Sequence, residues 1–277
     1  MSPAFPYTLS YQTVMPDDYR NNLSFQNFLR QVRNAGLWGL ELNMADPQVI
    51  DYGDLVGFLD DFGLRLSMFA TGLSAKTAGL SLSSVDEAER LRAVEMCSEY
   101  LKWVEDDDVG AIIGFMKGMD RSNPDPSRAA FRRSVLELAP VAEQARTPLI
   151  IEATNRYETP VANSLAETLD LLEGTSGSWV KILPDTFHMN IEEADQASAL
   201  EQALPRIMSI HLSENNRTLP GGGGFDFAAF FRIVETIGYS GRFAMEGNFA
   251  GSEGDDVARA ADAVRTAWTS RRIQETK

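Results

Sequence analysis

Eight times along the 277 residues, a short apolar run is followed by an amphipathic stretch. The apolar runs lie at 7–11, 39–43, 64–70, 109–116, 148–153, 179–185, 206–212 and 242–247, and are rich in Val, Ile, Leu, Met and Phe. Strands that read as nearly continuous apolar runs are covered on both faces, as in a parallel sheet sheathed by helices. Helical spacing follows at 23–36, 49–63, 84–107, 126–145, 164–174, 191–203, 225–238 and 255–272. Gly36 and Gly63 stand where the first two helices would close, and Ser84-Val85-Asp86-Glu87 has the Ser-x-x-Glu form of a capping box. Pro140 is predicted to kink or break the helix over 126–145. One strand–helix unit about every 30 residues, repeated eight times, predicts an α/β fold: a (β/α)8 TIM barrel spanning 1–277 as a single domain. An open doubly wound sheet of eight strands would be unusually wide. No Gly-x-Gly-x-x-Gly follows the first strand, which argues against a dinucleotide site. No Pro- or Gly-rich linker divides the chain, and biased sequence is confined to glycines 221–224 and the acidic stretch 105–108.

Charge narrows the partners. The chain has 25 Lys and Arg against 40 Asp and Glu, a net charge of −15. Such a surface repels phosphate backbones, so no nucleic-acid partner is expected. No apolar run approaches the ~18 residues of a membrane span, so no membrane partner is expected either. The first residues lack a basic segment followed by an apolar one, and the expected compartment is the cytoplasm. Cys97 is the only cysteine, which excludes an internal disulfide and a Cys-based zinc site.

In a barrel the chemistry sits at the C-terminal ends of the strands. The fifth run ends in Glu152, the sixth in Asp185, the seventh in His211 and the eighth in Glu246, at intervals of 33, 26 and 35 residues. Four consecutive strands thus aim three carboxylates and an imidazole at one mouth. Converging carboxylates resist ionising together, and a bound divalent cation removes that conflict. Three oxygen donors and one nitrogen suit Mn²⁺, Mg²⁺ or Co²⁺, with Zn²⁺ left open. His188, three residues past Asp185, is one of only two histidines and falls at the same mouth. Arg217 is placed to hold either a substrate hydroxyl or a ligand carboxylate. Glu158 faces either the mouth or solvent. Lys117, after the fourth strand, falls near the mouth, where it contacts substrate, caps the barrel or pairs with an acid. Glycines 221–224 read as a mobile loop, without the spacing of a phosphate-binding loop. Phe230 and Phe231 read either as exposed aromatics suited to an oligomer contact or as core.

The segments IEATNRYET, LPDTFHMNIEE, HLSENNRTLPGGG and the Met-Glu of RFAMEG resemble the ketose 3-epimerases, the tagatose and psicose epimerase branch of the xylose-isomerase-like barrels. The resemblance covers residues 148–250. It implies that Glu152, Asp185, His211 and Glu246 bind one divalent metal ion, most often Mn²⁺. It also implies that Glu158, His188 and Arg217 contact a small carbohydrate, and that the chain forms a homo-oligomer, a dimer or tetramer. The reaction it implies is C3 epimerisation of a ketose through a cation-stabilised enediolate. Glu152 and Glu246 would be the acid–base pair, His188 would steady the carbonyl side, and Arg217 the distal hydroxyls. Two segments, GFMKGMDRSN and EGNFAGSEGDD, depart from the epimerase pattern. A second reading keeps the cation but makes the chain an isomerase or decarboxylase of a keto-sugar acid, with Lys117 or Arg217 holding the carboxylate. A DNA-repair endonuclease on the same fold needs several metal ions and many histidines, which two cannot furnish. A non-catalytic barrel would show no metal-dependent activity.

Overall fold

A computed structural model of the chain describes residues 5–104, 106 and 108–271. Residues 105 and 107 of the predicted third helix, and 272 of the predicted last one, lie outside the described residues. The strands are β1 (Leu9–Val14), β2 (Gly39–Asn43), β3 (Arg65–Ala70), β4 (Gly110–Ile113), β5 (Leu149–Glu152), β6 (Val180–Leu183), β7 (Ser209–Leu212) and β8 (Arg242–Met245). All pair in parallel in the order β6-β5-β4-β3-β2-β1-β8-β7. Bridges Ile182↔Ile207 and Asp185↔His211 join the two ends of that order. The sheet therefore closes into a (β/α)8 TIM barrel, and one of the closing bridges lies at the predicted site. Among the described residues, no helix is long and apolar enough to cross a membrane.

Each strand falls inside its predicted run except β1, which runs on to Val14. Parallel pairing with β2, Ser10 opposite Gly39 through Val14 opposite Asn43, draws the polar Gln12 and Thr13 into the strand. The helices are α1 (Leu23–Asn34), α2 (Tyr52–Asp61), α3 (Gly72–Ala78), α4 (Glu87–Val104), α5 (Pro124–Ala145), α6 (Leu165–Leu171), α7 (Thr186–Glu192), α8 (Gln196–Ala203), α9 (Phe227–Thr236) and α10 (Glu253–Ser270). α3 and most of α7 are too short for a periodic signal and were not expected. α1 ends as predicted at Gly36, whose φ of +75° is the left-handed conformation that glycine adopts without penalty. Pro140 does not break α5. Its ring lies on the exposed face, and Leu136, whose carbonyl loses an amide partner, is also exposed, so water can satisfy that carbonyl.

Burial divides into two layers. The main core lies between strands and helices and holds Leu29, Leu40, Phe69, Phe131, Leu138 and Phe243, all fully buried. A small separate cluster of Met68, Ala70, Ile112, Ile150 and Leu183 fills the barrel interior and floors the site. Phe230 and Phe231 are 1% and 0% exposed. Phe231 packs edge-on against Phe5, Phe243 and Trp268, so both rings are core and neither is surface.

The capping signal before α4 is displaced by two residues. Asp86, not Ser84, caps the helix: its Oδ1 accepts from the amides of Ala88 (2.9 Å) and Glu89 (3.1 Å). Ser84 Oγ accepts from Asp86 N and donates to Glu89, and Glu87 pairs with Arg90. A carboxylate at the helix start out-competes a hydroxyl because it also meets the positive end of the helix dipole. Asp86→Ala should lower unfolding free energy by about 1 kcal/mol, whereas Ser84→Ala should change it by roughly 0.5 kcal/mol or less. Urea titration of the two variants checks this ordering.

Candidate active site

The four strand-end residues meet. Glu152 ends β5, Asp185 follows β6, His211 lies within β7 and Glu246 follows β8. One ligand atom from each lies within 4.8 Å of those from the others. His211 Nδ1 is 2.8 Å from Glu246 Oε2, 3.8 Å from Asp185 Oδ2 and 4.0 Å from Glu152 Oε1. Atoms that share one ion at roughly 2.0–2.2 Å lie roughly 3–4 Å apart, so the spacing suits a single cation. Glu152 Oε1 is buried with no hydrogen-bond partner, an acceptor that a cation would satisfy. Three hard oxygens and one imidazole nitrogen are a fitting donor set for a divalent ion.

Local structure holds each group. Asp185 caps α7: its Oδ1 accepts from the amides of Phe187 (2.7 Å) and His188 (3.4 Å), leaving Oδ2 toward the cluster. The residue that starts the helix carrying His188 is thus also a candidate ligand. Asn155 orders the other side. Its Oδ1 accepts from Tyr157 N, so its amide group donates to His188 Nδ1 (2.8 Å) and Glu158 Oε1 (2.9 Å). With Nδ1 accepting, the neutral ring carries its proton on Nε2, 3.5 Å from Glu152 Oε1. Glu158 and His188 both line the chamber in front of Glu152. Gly114 lies beneath the Glu152 carboxylate, and a Cβ there would stand 2.3 Å from Oε2. Only a residue without a side chain leaves that carboxylate room.

Lys117 is not the substrate contact: it lies below the mouth, in keeping with the reading that it caps the barrel. It is 0% exposed, and its Nζ donates to the backbone carbonyls of Glu152 (2.6 Å) and Ala162 (3.1 Å). Burial pushes the ammonium down to about 7, against the pull of the Glu152 carboxylate. It ties the end of β5 to the loop after it and offers nothing to the cleft.

Glu41, in the middle of β2, was missed. Its carboxylate is 0% exposed, and Oε2 lies 2.7 Å from His211 Nε2. Each ring nitrogen faces a carboxylate, Nε2 that of Glu41 and Nδ1 that of Glu246; with a cation in place, Glu41 would keep the proton on Nε2 and leave the Nδ1 lone pair for the ion. The available signal was an acid at the centre of an apolar strand, GLELN, where an unpaired charge would be prohibitively costly.

Positive charge balances the cluster. Arg217 Nη1 pairs with Asp185 Oδ2 at 2.7 Å and Nη2 with Glu246 Oε1 at 2.8 Å, and the guanidinium stands over the Phe187 ring. Of the two roles open to Arg217 from the sequence, the carboxylate contact is the one seen. Burial works against its charge, but Glu246, Asp185 and Glu152 hold its pKa above the ordinary arginine value. Burial likewise opposes ionisation of Glu246, yet Arg217 and His211 hold its carboxyl well below the usual carboxylate range. Arg217 has φ +62°, a left-handed backbone uncommon outside glycine. Its loop is not free: Glu214 accepts from the amides of Gly221 and Phe225 (2.8 Å each), and Asn215 from Gly224 (2.9 Å). The glycine run read as mobile is tied down by its own neighbours.

Residues 29–267 match the model of the xylose isomerase-like TIM barrel family. An L-ribulose 3-epimerase of Mesorhizobium japonicum is 31% identical over 244 residues, covering 87% of this chain and 81% of that protein. A ketose 3-epimerase of Arthrobacter globiformis is 30% identical over 247 residues, 87% of this chain and 83% of its own length. A solved L-ribulose 3-epimerase superposes with a TM-score of 0.76 at 24% identity, over 97% of each chain.

Removing the Glu41 partner of His211 tests the ligand set. Glu41→Leu should weaken Mn²⁺ affinity by roughly 10- to 100-fold, and Glu41→Gln, which keeps an acceptor, should lose much less. Calorimetric titration of the metal-free proteins measures both.

Proposed function

The chain belongs to the xylose isomerase-like TIM barrel family, and from that premise we propose that it is a divalent-metal-dependent ketose 3-epimerase. The observation that carries the reading is the convergence of Glu152, Asp185, His211 and Glu246 on one point. We take these four as the metal ligands, Mn²⁺ as the ion, and Glu152 and Glu246 as the acid–base pair. The matching relatives are named ketose and L-ribulose 3-epimerases, which supports a ketose as substrate.

A divalent cation held there would polarise the carbonyl and adjacent hydroxyl of an α-hydroxyketone and so acidify the neighbouring C–H. The protein's own groups do the rest. Glu246, kept ionised by Arg217 and His211, is ready to accept a proton from C3. Glu152, on the other side of the mouth and carrying a proton taken from solvent, gives that proton to the opposite face, and Glu246 releases its own to solvent before the next turnover. One C–H bond breaks and one forms, no electrons leave the substrate, and configuration at C3 is inverted. His188 points Nε2 toward Glu152 Oε1, where it can donate to a substrate oxygen seated beside the two in the chamber. Glu158 and Arg217 border the same chamber and are taken to bind hydroxyls. Mobile water would compete for the proton, and the buried position of Glu152, 7% exposed, limits that.

A keto-sugar acid as substrate is not favoured. Of the two cations that reading would use for a carboxylate, Lys117 is bonded to two backbone carbonyls inside the protein and Arg217 is already paired with Asp185 and Glu246.

Incubated with Mn²⁺ and D-fructose, D-tagatose or D-ribulose in D₂O, the protein should form the C3 epimer with deuterium at C3, read by NMR. EDTA should abolish the signal. Loss of CO₂ from a 3-keto sugar acid, with no exchange into free ketoses, would overturn the reading. Glu246→Gln should lower kcat by roughly 10²- to 10⁴-fold, and His211→Ala should lower the metal content of purified protein.

A further inference from the structure

The segment EGNFAGSEGDD, after β8, departs from the epimerase pattern, and of its residues only Glu246 takes part in the chemistry above. It forms one wall of a groove of about 390 Å³ between the ends of β1 and β8. The chamber in front of Glu152 and His188 is much smaller, about 70 Å³. Gln12, Asn43, Arg217 and Glu246 line both. A molecule whose reacting carbons lie in the chamber therefore runs its remaining carbons into the groove.

Glu253 stands in that groove as a fixed acceptor. Tyr11 Oη donates to its Oε1 at 3.0 Å, and Thr13 Oγ1 donates to the same oxygen at 2.8 Å. Both donors are buried, at 2% and 9% exposure, so the carboxylate is held from below. Oε2 has no hydrogen-bond partner among the described residues. The rest of the wall suits a polyol. Phe249 is 50% exposed and offers a flat apolar face to C–H groups, with the Asn43 and Asn248 amides beside it. The loop is braced, because Asp256 Oδ2 accepts from the amides of Ala250 and Gly251 at 2.8 Å each. Asn248 N donates to Arg217 O at 2.7 Å, so the groove wall and Arg217 are set by the same backbone.

We propose that Glu253 binds the hydroxyl groups at the non-reacting end of the substrate and so decides which sugars are accepted. This rests on the epimerase reading and deepens it. A carboxylate with one oxygen anchored and the other free accepts from a sugar hydroxyl in a fixed direction. The same negative charge disfavours a phosphate or carboxylate at that end of the molecule.

The experiment compares a hexulose with a ketose too short to reach the groove. D-Fructose epimerisation and proton exchange of dihydroxyacetone in D₂O are followed by NMR in wild type, Glu253→Gln and Tyr11→Phe, with Mn²⁺ affinity and thermal melting recorded for each. For Glu253→Gln, kcat/KM on D-fructose should fall by roughly 10- to 100-fold, carried by KM. The loss on dihydroxyacetone should be about tenfold smaller. Tyr11→Phe should shift the same ratio in the same direction by less. Equal losses on both ketoses, or none on either, would overturn the inference while leaving the epimerase reading intact. A wild-type protein that exchanges protons with no ketose would overturn both.

Discussion

Four carboxylates, Glu41, Glu152, Asp185 and Glu246, share one small volume with His211 and Arg217. Ion pairing of this density inside a protein is unfavourable unless every charge meets an opposite one at contact distance. Three of the four carboxylates meet that condition in the protein alone, and Glu152 is left for a cation to satisfy. His211 lies between Glu41 and Glu246 at 2.7 and 2.8 Å, and Arg217 spans Asp185 and Glu246 at 2.7 and 2.8 Å. Much of the surrounding architecture can be read as support for this arrangement. The Asp185↔His211 bridge helps close the barrel, Lys117 fixes the end of β5, and the glycine-rich loop is bound to Glu214 so that Arg217 reaches inward.

A cation at this point would change the balance without changing the scaffold. Ligation through Nδ1 needs that nitrogen free of its proton. Glu41 keeps the remaining proton on Nε2, on the far side of the ring. The second row of contacts therefore decides what the first row can bind. The same division of labour recurs at Glu253, where two buried hydroxyls hold one oxygen and leave the other facing the groove.

The barrel was legible because its signal is repetitive. Eight apolar runs at regular spacing exclude most other folds, and seven of the eight strands lie within those runs. The four strand-end ligands were legible for the same reason: the C-terminal end of each run marks one side of the barrel. Signals that depend on a single turn were less reliable. Asp86 took the cap assigned to Ser84, and Pro140 stayed inside α5 because its unpaired carbonyl faces water. Lys117 followed the fourth strand as a mouth residue should, yet a tight turn at Phe115–Lys117 directs its chain under β5.

Sequence alone determined the fold, the identity of the candidate ligands and the order in which strands present them. Periodicity and strand ends are properties of neighbouring positions, and neighbours are what a sequence displays. The tertiary structure alone decided which groups orient those ligands and where the substrate's far end can lie. Glu41 and His211 are 170 residues apart, and Tyr11 and Glu253 are 242 apart. No local pattern links such pairs; they meet because a closed cylinder sets β1 beside β8 and turns side chains of β2 and β7 into one interior.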